Sequence, residues 1–367
     1  MLYSTKLQSF ASALFIYALS VSATQELTLK LSGTELADGV DNLKVTAKLT
    51  NTGDETLRVL NDPRSVLSSH PTNTFSISDA DGASPSFNGM RVKYSPNSAA
   101  RTNGTHTFTT LTPGESVEVE HDLSYAYNFT LSGQSLYNIA PSRKFYVVDP
   151  ETLKVHRLKA KLETDHQAKL QGRLAVSRRA SNARAKRCSE CTEDEETGPF
   201  FNGCSAKQKR QIKRAAHAAT RYAKKAFHYL SNHTEGTERY EAWFGNFSDT
   251  RHSTVMEHYS NMVSQGYKNY TYDCSTCDEE DTFAYVYTED FGTIYLCESF
   301  WAANNTGVDS RGGTLVHESS HFTQIAGTED NAYGHEDAAE LALEDPDMAI
   351  DNADSHEYFA ENHPHLS

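Results

Sequence analysis

The sequence predicts an all-β, sandwich-like domain followed by an α+β domain. Three observations predict it: apolar residues alternate with period two through much of residues 24–150, the period changes to three and four after Cys204, and all six cysteines fall in the later half. At 367 residues the chain has room for about two domains. Its 34 Lys and Arg against 49 Asp and Glu give a formal charge of −15, which argues against a nucleic-acid partner. A hydrophobic content of 38% with 19 Tyr and 17 Phe supplies enough apolar area for packed cores and excludes a fully disordered chain.

Residues 1–23 are expected to lie outside either fold. Lys6 precedes an apolar run over residues 10–21, and Val21-Ser22-Ala23 has the small-residue pattern of a secretory signal-peptide cleavage site. About twelve apolar residues fall short of the roughly 20 that span a bilayer, so secretion is expected and no membrane partner. Sequons at Asn103, Asn128, Asn232, Asn246, Asn269 and Asn304 fit the same route as glycosylation sites.

The β-rich domain is placed at residues 24–150. Runs such as Leu27-Thr28-Leu29-Lys30-Leu31, Leu43-Lys44-Val45-Thr46-Ala47 and Val117-Glu118-Val119-Glu120 alternate between turn-forming clusters. Its histidines, His70, His106 and His121, are dispersed, so no catalytic constellation is expected there. Residues 151–187 read as a basic linker: from position 154 they hold eleven Lys and Arg against Glu163 and Asp165, ending in Arg178-Arg179 and Lys186-Arg187. Dibasic steps in an exported chain are processing sites. Residues 24–187 are therefore expected to be a propeptide, and residues 188–367 the functional domain.

In that domain Ile212, Ala215, Ala216, Ala219, Tyr222, Ala223, Ala226, Phe227 and Leu230 form one helical stripe facing a core. Residues 282–287 and 293–296 read as two strands of a small antiparallel sheet, joined by a loop containing Gly292. The six cysteines suit three disulfides in an oxidising compartment. A zinc site built from Cys188-x-x-Cys191 and Cys274-x-x-Cys277 would need its halves far closer than their separation of more than 80 residues.

The sharpest chemical signal is His317-Glu318-Ser319-Ser320-His321. On a helix, i and i+4 share a face, so both imidazoles can reach one Zn²⁺, and Glu318 can take a proton from water that the metal acidifies. A third ligand is required. The metzincin pattern is excluded because Gln324 and Gly327 stand where it needs Gly and His. A downstream helical carboxylate, of which Glu340 is the nearest, and the segment Gly327-Thr328-Glu329-Asp330-Asn331-Ala332-Tyr333-Gly334 are the two sources left.

The HExxH motif followed by Gly-Thr-x-Asp-x-x-Tyr-Gly resembles the aspzincins, the deuterolysin family of secreted metalloendopeptidases, and looks most similar to their peptidyl-Lys branch. Further matching stretches are Asn202-Gly203-Cys204-Ser205, Trp243-Phe244-Gly245, Arg251-His252-Ser253-Thr254-Val255 and residues 352–359. The resemblance implies a zincin-like α+β catalytic domain around one Zn²⁺ per domain, with Asp330 as third ligand, Tyr333 as oxyanion stabiliser, and disulfides Cys204–Cys274 and Cys277–Cys297. Cys188 and Cys191 would then pair locally or be removed.

From residue 312 to the end there are thirteen Asp and Glu and no Lys or Arg, a field that would attract basic side chains to a cleft. Asp354 and Glu357, three apart on a helix, are the pair that the resemblance carries to a lysine pocket. The expected function is a secreted zinc endopeptidase made as a zymogen. It would cut lysine-containing polypeptides on the amino side of lysine, with the propeptide as intramolecular inhibitor. The basic stretch 154–187 is expected to cover the acidic cleft before processing. The alternatives are a deuterolysin of broader specificity on basic proteins, or an inactive metal-binding surface protein.

Overall fold

The strand Lys44–Asn51 buries every second side chain, Val45, Ala47, Leu49 and Asn51, and so follows the alternation of its sequence. It pairs antiparallel with Leu27–Gly33 on one side and Ser116–Asp122 on the other. The computed structural model describes residues 24–102, 104–176 and 198–367. The expected signal segment, Asn103, the dibasic steps, Cys188 and Cys191 lie outside the described residues.

The N-terminal half holds three four-stranded sheets and a short two-stranded pair among the described residues, where a two-layer sandwich was expected. The three sheets close on one core that takes Leu29 and Val45 from the first, Ile77 and Ile139 from the second, and Val59 and Phe145 from the third. Residues 155–171 correct the expected linker. Lys161–Thr164 extends the first sheet, His166–Gln171 the second and Val155–Lys159 the third. His166, Ala168 and Leu170 point inward while the residues between them face solvent, so a high basic content concealed an ordinary alternation.

The long helix Ala206–Asn232 begins with a capping box, in which Ser205 and Gln208 satisfy each other's end of the first turn. Its predicted stripe is buried, with Tyr222 and Phe227 at the margin, and it packs on the helix Arg311–Ser320. Gly312 permits that approach, since a Cβ there would stand 2.9 Å from Ala218 Cβ. The helices Glu238–Phe244, Asp249–Gln265, Gly334–Glu344 and Ala353–Glu361 complete this layer. No helix among the described residues is long and apolar enough to cross a membrane.

The sheet of the C-terminal half is mixed rather than antiparallel. Its order is Phe200–Asn202, Thr271–Asp273, Thr293–Leu296, Thr282–Tyr287, and the first three run parallel. Three helices lie between Phe200–Asn202 and Thr271–Asp273, the long crossover that a parallel pair needs. Thr282–Tyr287 and Thr293–Leu296 form the expected antiparallel pair, with Gly292 at φ 95° in the connecting loop. Disulfides join Cys204 to Cys274 and Cys277 to Cys297, so Cys274 and Cys277 are not free for a zinc–thiolate site. A fifth strand, Met90–Tyr94, arrives from the N-terminal half and pairs antiparallel along the free edge of Thr282–Tyr287.

Candidate active site

The helix Arg311–Ser320 starts at Ser310, whose hydroxyl accepts from the Gly313 amide at 3.0 Å. Its last turn carries His317 and Glu318, and His321 at the C-cap keeps helical φ and ψ, so the i to i+4 relation holds. All three side chains are fully buried. The chain then turns at Gly327 and returns through Glu329, which bridges to Asn352. Asn352 Oδ1 accepts from the amides of Asn331 and Ala332, both at 3.0 Å, and fixes the loop that bears Asp330.

Three donor atoms converge there. His317 Nε2 and His321 Nε2 are 3.1 Å apart, and Asp330 Oδ1 is 3.2 Å from the first and 3.3 Å from the second. His321 Nδ1 meets the Thr328 carbonyl at 2.7 Å, and His317 Nδ1 lies 2.8 Å from Asp354 Oδ1. Both partners only accept, so both Nδ1 atoms carry the proton and both Nε2 lone pairs face inward. Asp330 Oδ1 is buried and has no hydrogen-bond partner among the described residues. Three lone pairs at such distances need a cation between them. Ligands at about 2.0–2.2 Å around tetrahedral zinc stand about 3.3–3.6 Å apart, so this triangle, with sides of 3.1–3.3 Å, is close to that spacing and slightly tighter. Glu340, the other candidate third ligand, is half-exposed on Gly334–Glu344, where it pairs with Arg157.

Glu318 and Tyr333 flank the triangle. Glu318 Oε1 accepts from the Lys93 amide at 3.0 Å, while Oε2 has no partner among the described residues. Burial pushes the Glu318 carboxyl well above the usual range. Tyr333 is buried, and its hydroxyl donates to the Val92 carbonyl at 2.7 Å. Burial also holds that hydroxyl protonated, with a pKa well above the ordinary tyrosine value.

A second cluster adjoins the first on the helix Ala353–Glu361. Asp354 Oδ1 lies 2.9 Å from Lys93 Nζ, and Glu357 Oε2 also lies 2.9 Å from it. Asp309 Oδ1 stands at 3.0 Å. Lys93 is 0% exposed, a state that lysine tolerates only when paired. Burial pulls the ammonium down, but Asp309, Asp354 and Glu357 outweigh it and hold it well above the usual lysine range. Burial and the neighbouring Asp354 push Glu357 up to about 7 against the pull of Lys93. Asp354 falls below the usual carboxylate range, because Lys93 and His317 overcome its burial.

The fold thus brings together His317, His321, Asp330, Glu318, Tyr333, Asp354 and Glu357, all singled out from the sequence. Sequence reasoning missed Asp309, an isolated acid at positive φ on a loop, which carries no motif. It also missed Asp354's contact with His317 and the entry of Lys93. Among the described residues the chain in the cleft comes from Met90–Tyr94, and not from residues 154–176 of the basic stretch that was expected to cover it. Of that stretch, Arg157 pairs with Asp337 and Glu340 at the cleft's margin, and residues 177–187 lie outside the described residues.

Comparison with known proteins places the sequence in a family. The aspzincin family model, described as lysine-specific metallo-endopeptidase, matches residues 229–361. A peptidyl-Lys metalloendopeptidase of Armillaria mellea is 49% identical over 99% of both chains, and one of Grifola frondosa is 48% identical over 96% of this chain and 97% of its own. An extracellular protease of Aeromonas hydrophila is 32% identical over 88% of this chain and 89% of its own. A solved zinc peptidase from Grifola frondosa is 52% identical, covers 45% of this chain and all of its own, and superposes with a TM-score of 0.44.

Proposed function

This chain belongs to the aspzincin family and is a zinc metalloendopeptidase, and on that premise we propose that it hydrolyses peptide bonds on the amino side of lysine. The observation that carries the lysine preference is the ammonium of Lys93 held among Asp309, Asp354 and Glu357, with its own backbone nitrogen on Glu318. A pocket that desolvates an ammonium must supply opposite charge, and three carboxylates do so. The planar, longer guanidinium of arginine fits such a compact cluster poorly.

His317, His321 and Asp330 would hold the metal. Bound there, zinc supplies Lewis acidity toward a carbonyl oxygen and acidifies water. The protein's own groups do the remaining work. Glu318 takes a proton from the attacking water and returns it to the departing nitrogen. Tyr333 donates to the carbonyl oxygen as negative charge develops on it. Asp354 fixes the tautomer of His317, which keeps Nε2 free to bind metal.

We also assign residues 24–187 to a propeptide and the chain to the secretory route, as a zymogen whose residues 188–367 form the catalytic domain. The signal-like segment and the name of the Aeromonas relative support the secretory route, and the dibasic steps Arg178-Arg179 and Lys186-Arg187 support the propeptide. Digesting an unrelated denatured protein with the zinc-loaded enzyme and mapping each cut by mass spectrometry tests the specificity. New N-termini at lysine are expected, and cuts spread over arginine or apolar positions would refute the lysine reading. Asp330→Ala is expected to lower zinc affinity by more than the roughly 10–100-fold typical of losing an outer hydrogen-bond partner. Metal analysis after dialysis reads this directly, and Glu340→Ala should retain zinc at the wild-type level. The reverse outcome would reassign the third ligand.

A further inference from the structure

We propose that the Val92–Lys93 peptide bond is a substrate bond within this chain, presented to its own catalytic site in productive polarity and cut there. The proposal rests on the lysine-directed peptidase reading above. A peptide cleaved before lysine must meet three conditions at once: the lysine side chain fills the acidic pocket, its backbone nitrogen faces the proton donor, and the preceding carbonyl faces the oxyanion donor. One dipeptide meets all three. Lys93 Nζ lies within 3.0 Å of Asp309, Asp354 and Glu357, Lys93 N donates to Glu318 Oε1 at 3.0 Å, and Val92 O accepts from Tyr333 at 2.7 Å.

The flanking contacts hold the same polarity. Met90–Tyr94 runs antiparallel to the edge strand Thr282–Tyr287, with Val92 opposite Tyr285, and so docks by strand addition. The Val92 amide donates to Asp330 Oδ2 at 2.9 Å, and Arg91 pairs with Glu329. Beyond the bond, Ser95 donates to Asp309 Oδ2 at 2.8 Å. Every acid in this set belongs to the C-terminal half, and every group it receives comes from one segment of the N-terminal half.

In the step itself, the oxygen of water adds to the Val92 carbonyl carbon and the carbon–nitrogen bond breaks. Glu318 takes a proton from the water and passes it to the Lys93 nitrogen. The second proton of the water passes from the new carboxyl group to the amine, so the products are a carboxylate on Val92 and an ammonium on Lys93, with no oxidant, reductant or further reactant. Both new ends stay held, because the Arg91–Glu329 pair lies on one side of the broken bond and the Lys93 and Ser95 contacts lie on the other. The nicked chain therefore accumulates instead of falling apart.

The test uses the full-length chain, purified without zinc, loaded with zinc and followed by denaturing mass spectrometry. Expected is a fragment ending at Val92 and a partner beginning at Lys93, formed at a rate independent of protein concentration because the bond is held in cis. Glu318→Gln should stop the cut. Lys93→Ala should slow it by about 10²-fold or more, as expected when the group a polar pocket is built for is removed. Should Lys93→Ala fail to fold, Lys93→Arg serves the same purpose. An intact Val92–Lys93 bond in a sample that cuts an unrelated denatured protein before its lysines overturns this inference and leaves the lysine reading standing. A sample that leaves the bond intact and cuts nothing else also overturns this inference, since the docked strand would then only block the cleft; cuts elsewhere than before lysine bring down both.

Discussion

Glu318→Gln is expected to lower turnover by about 10²–10⁴-fold while the chain keeps its fold and its zinc. The glutamate touches none of the three converging donor atoms; its Oε1 faces the Lys93 amide, the position of the departing nitrogen. Glutamine preserves shape and can still hydrogen-bond, yet it can neither accept the proton of water nor return it. Zinc content by elemental analysis and the thermal midpoint should match wild type when activity is lost. A parallel loss of zinc would place Glu318 among the ligands and displace Asp330 from that role.

The second large effect concerns the acidic pocket. With zinc supplied well above its dissociation constant, the double variant Asp354→Asn/Glu357→Gln is expected to lose about 10²–10³-fold in kcat/KM before lysine. That corresponds to the cost of leaving a buried ammonium without its charged partners. Excess zinc is needed because Asp354 has two duties: it meets Lys93 Nζ on one side and His317 Nδ1 on the other through the same oxygen. Asp354→Asn alone should therefore also weaken zinc binding by about 10–100-fold. Glu357→Gln alone should be milder, since Asp309 and Asp354 remain. Retention of full lysine preference by the double variant would remove both residues from the pocket.

Gly313 shows how closely the pocket is built. A Cβ there would collide with the Glu361 carboxyl and approach Glu357 Oε1 to 2.7 Å, so a side chain at this position would displace the carboxylates that the helix Ala353–Glu361 sets against it. The composition of residues 312–367 reveals the acidic field but not this contact.

What the sequence determined by itself is what short-range geometry governs. Four residues of helix put His317 and His321 on one face, period two buried Val45, Ala47 and Leu49, and the three/four stripe buried one side of Ala206–Asn232. These contacts follow from bond geometry within a few residues, so reading the chain locally is enough. Tertiary structure decided the rest. Spacing alone left both Asp330 and Glu340 able to complete the metal site and the resemblance favoured Asp330; the return of the loop against Asn352 is what brings Asp330, and not Glu340, beside His317 and His321. The basic residues of Val155–Lys159 and its neighbours suggested a linker, because net charge carries no record of which side chains face inward. Nothing in the local sequence Met90-Arg91-Val92-Lys93-Tyr94 sets Lys93 apart from other lysines. Its pairing with Asp354, 261 residues away, arises only when the sheet edge at Thr282–Tyr287 accepts a strand from the other half of the molecule. Partners that far apart in sequence are chosen by packing and by the need to satisfy buried charge, and neither is written in local spacing.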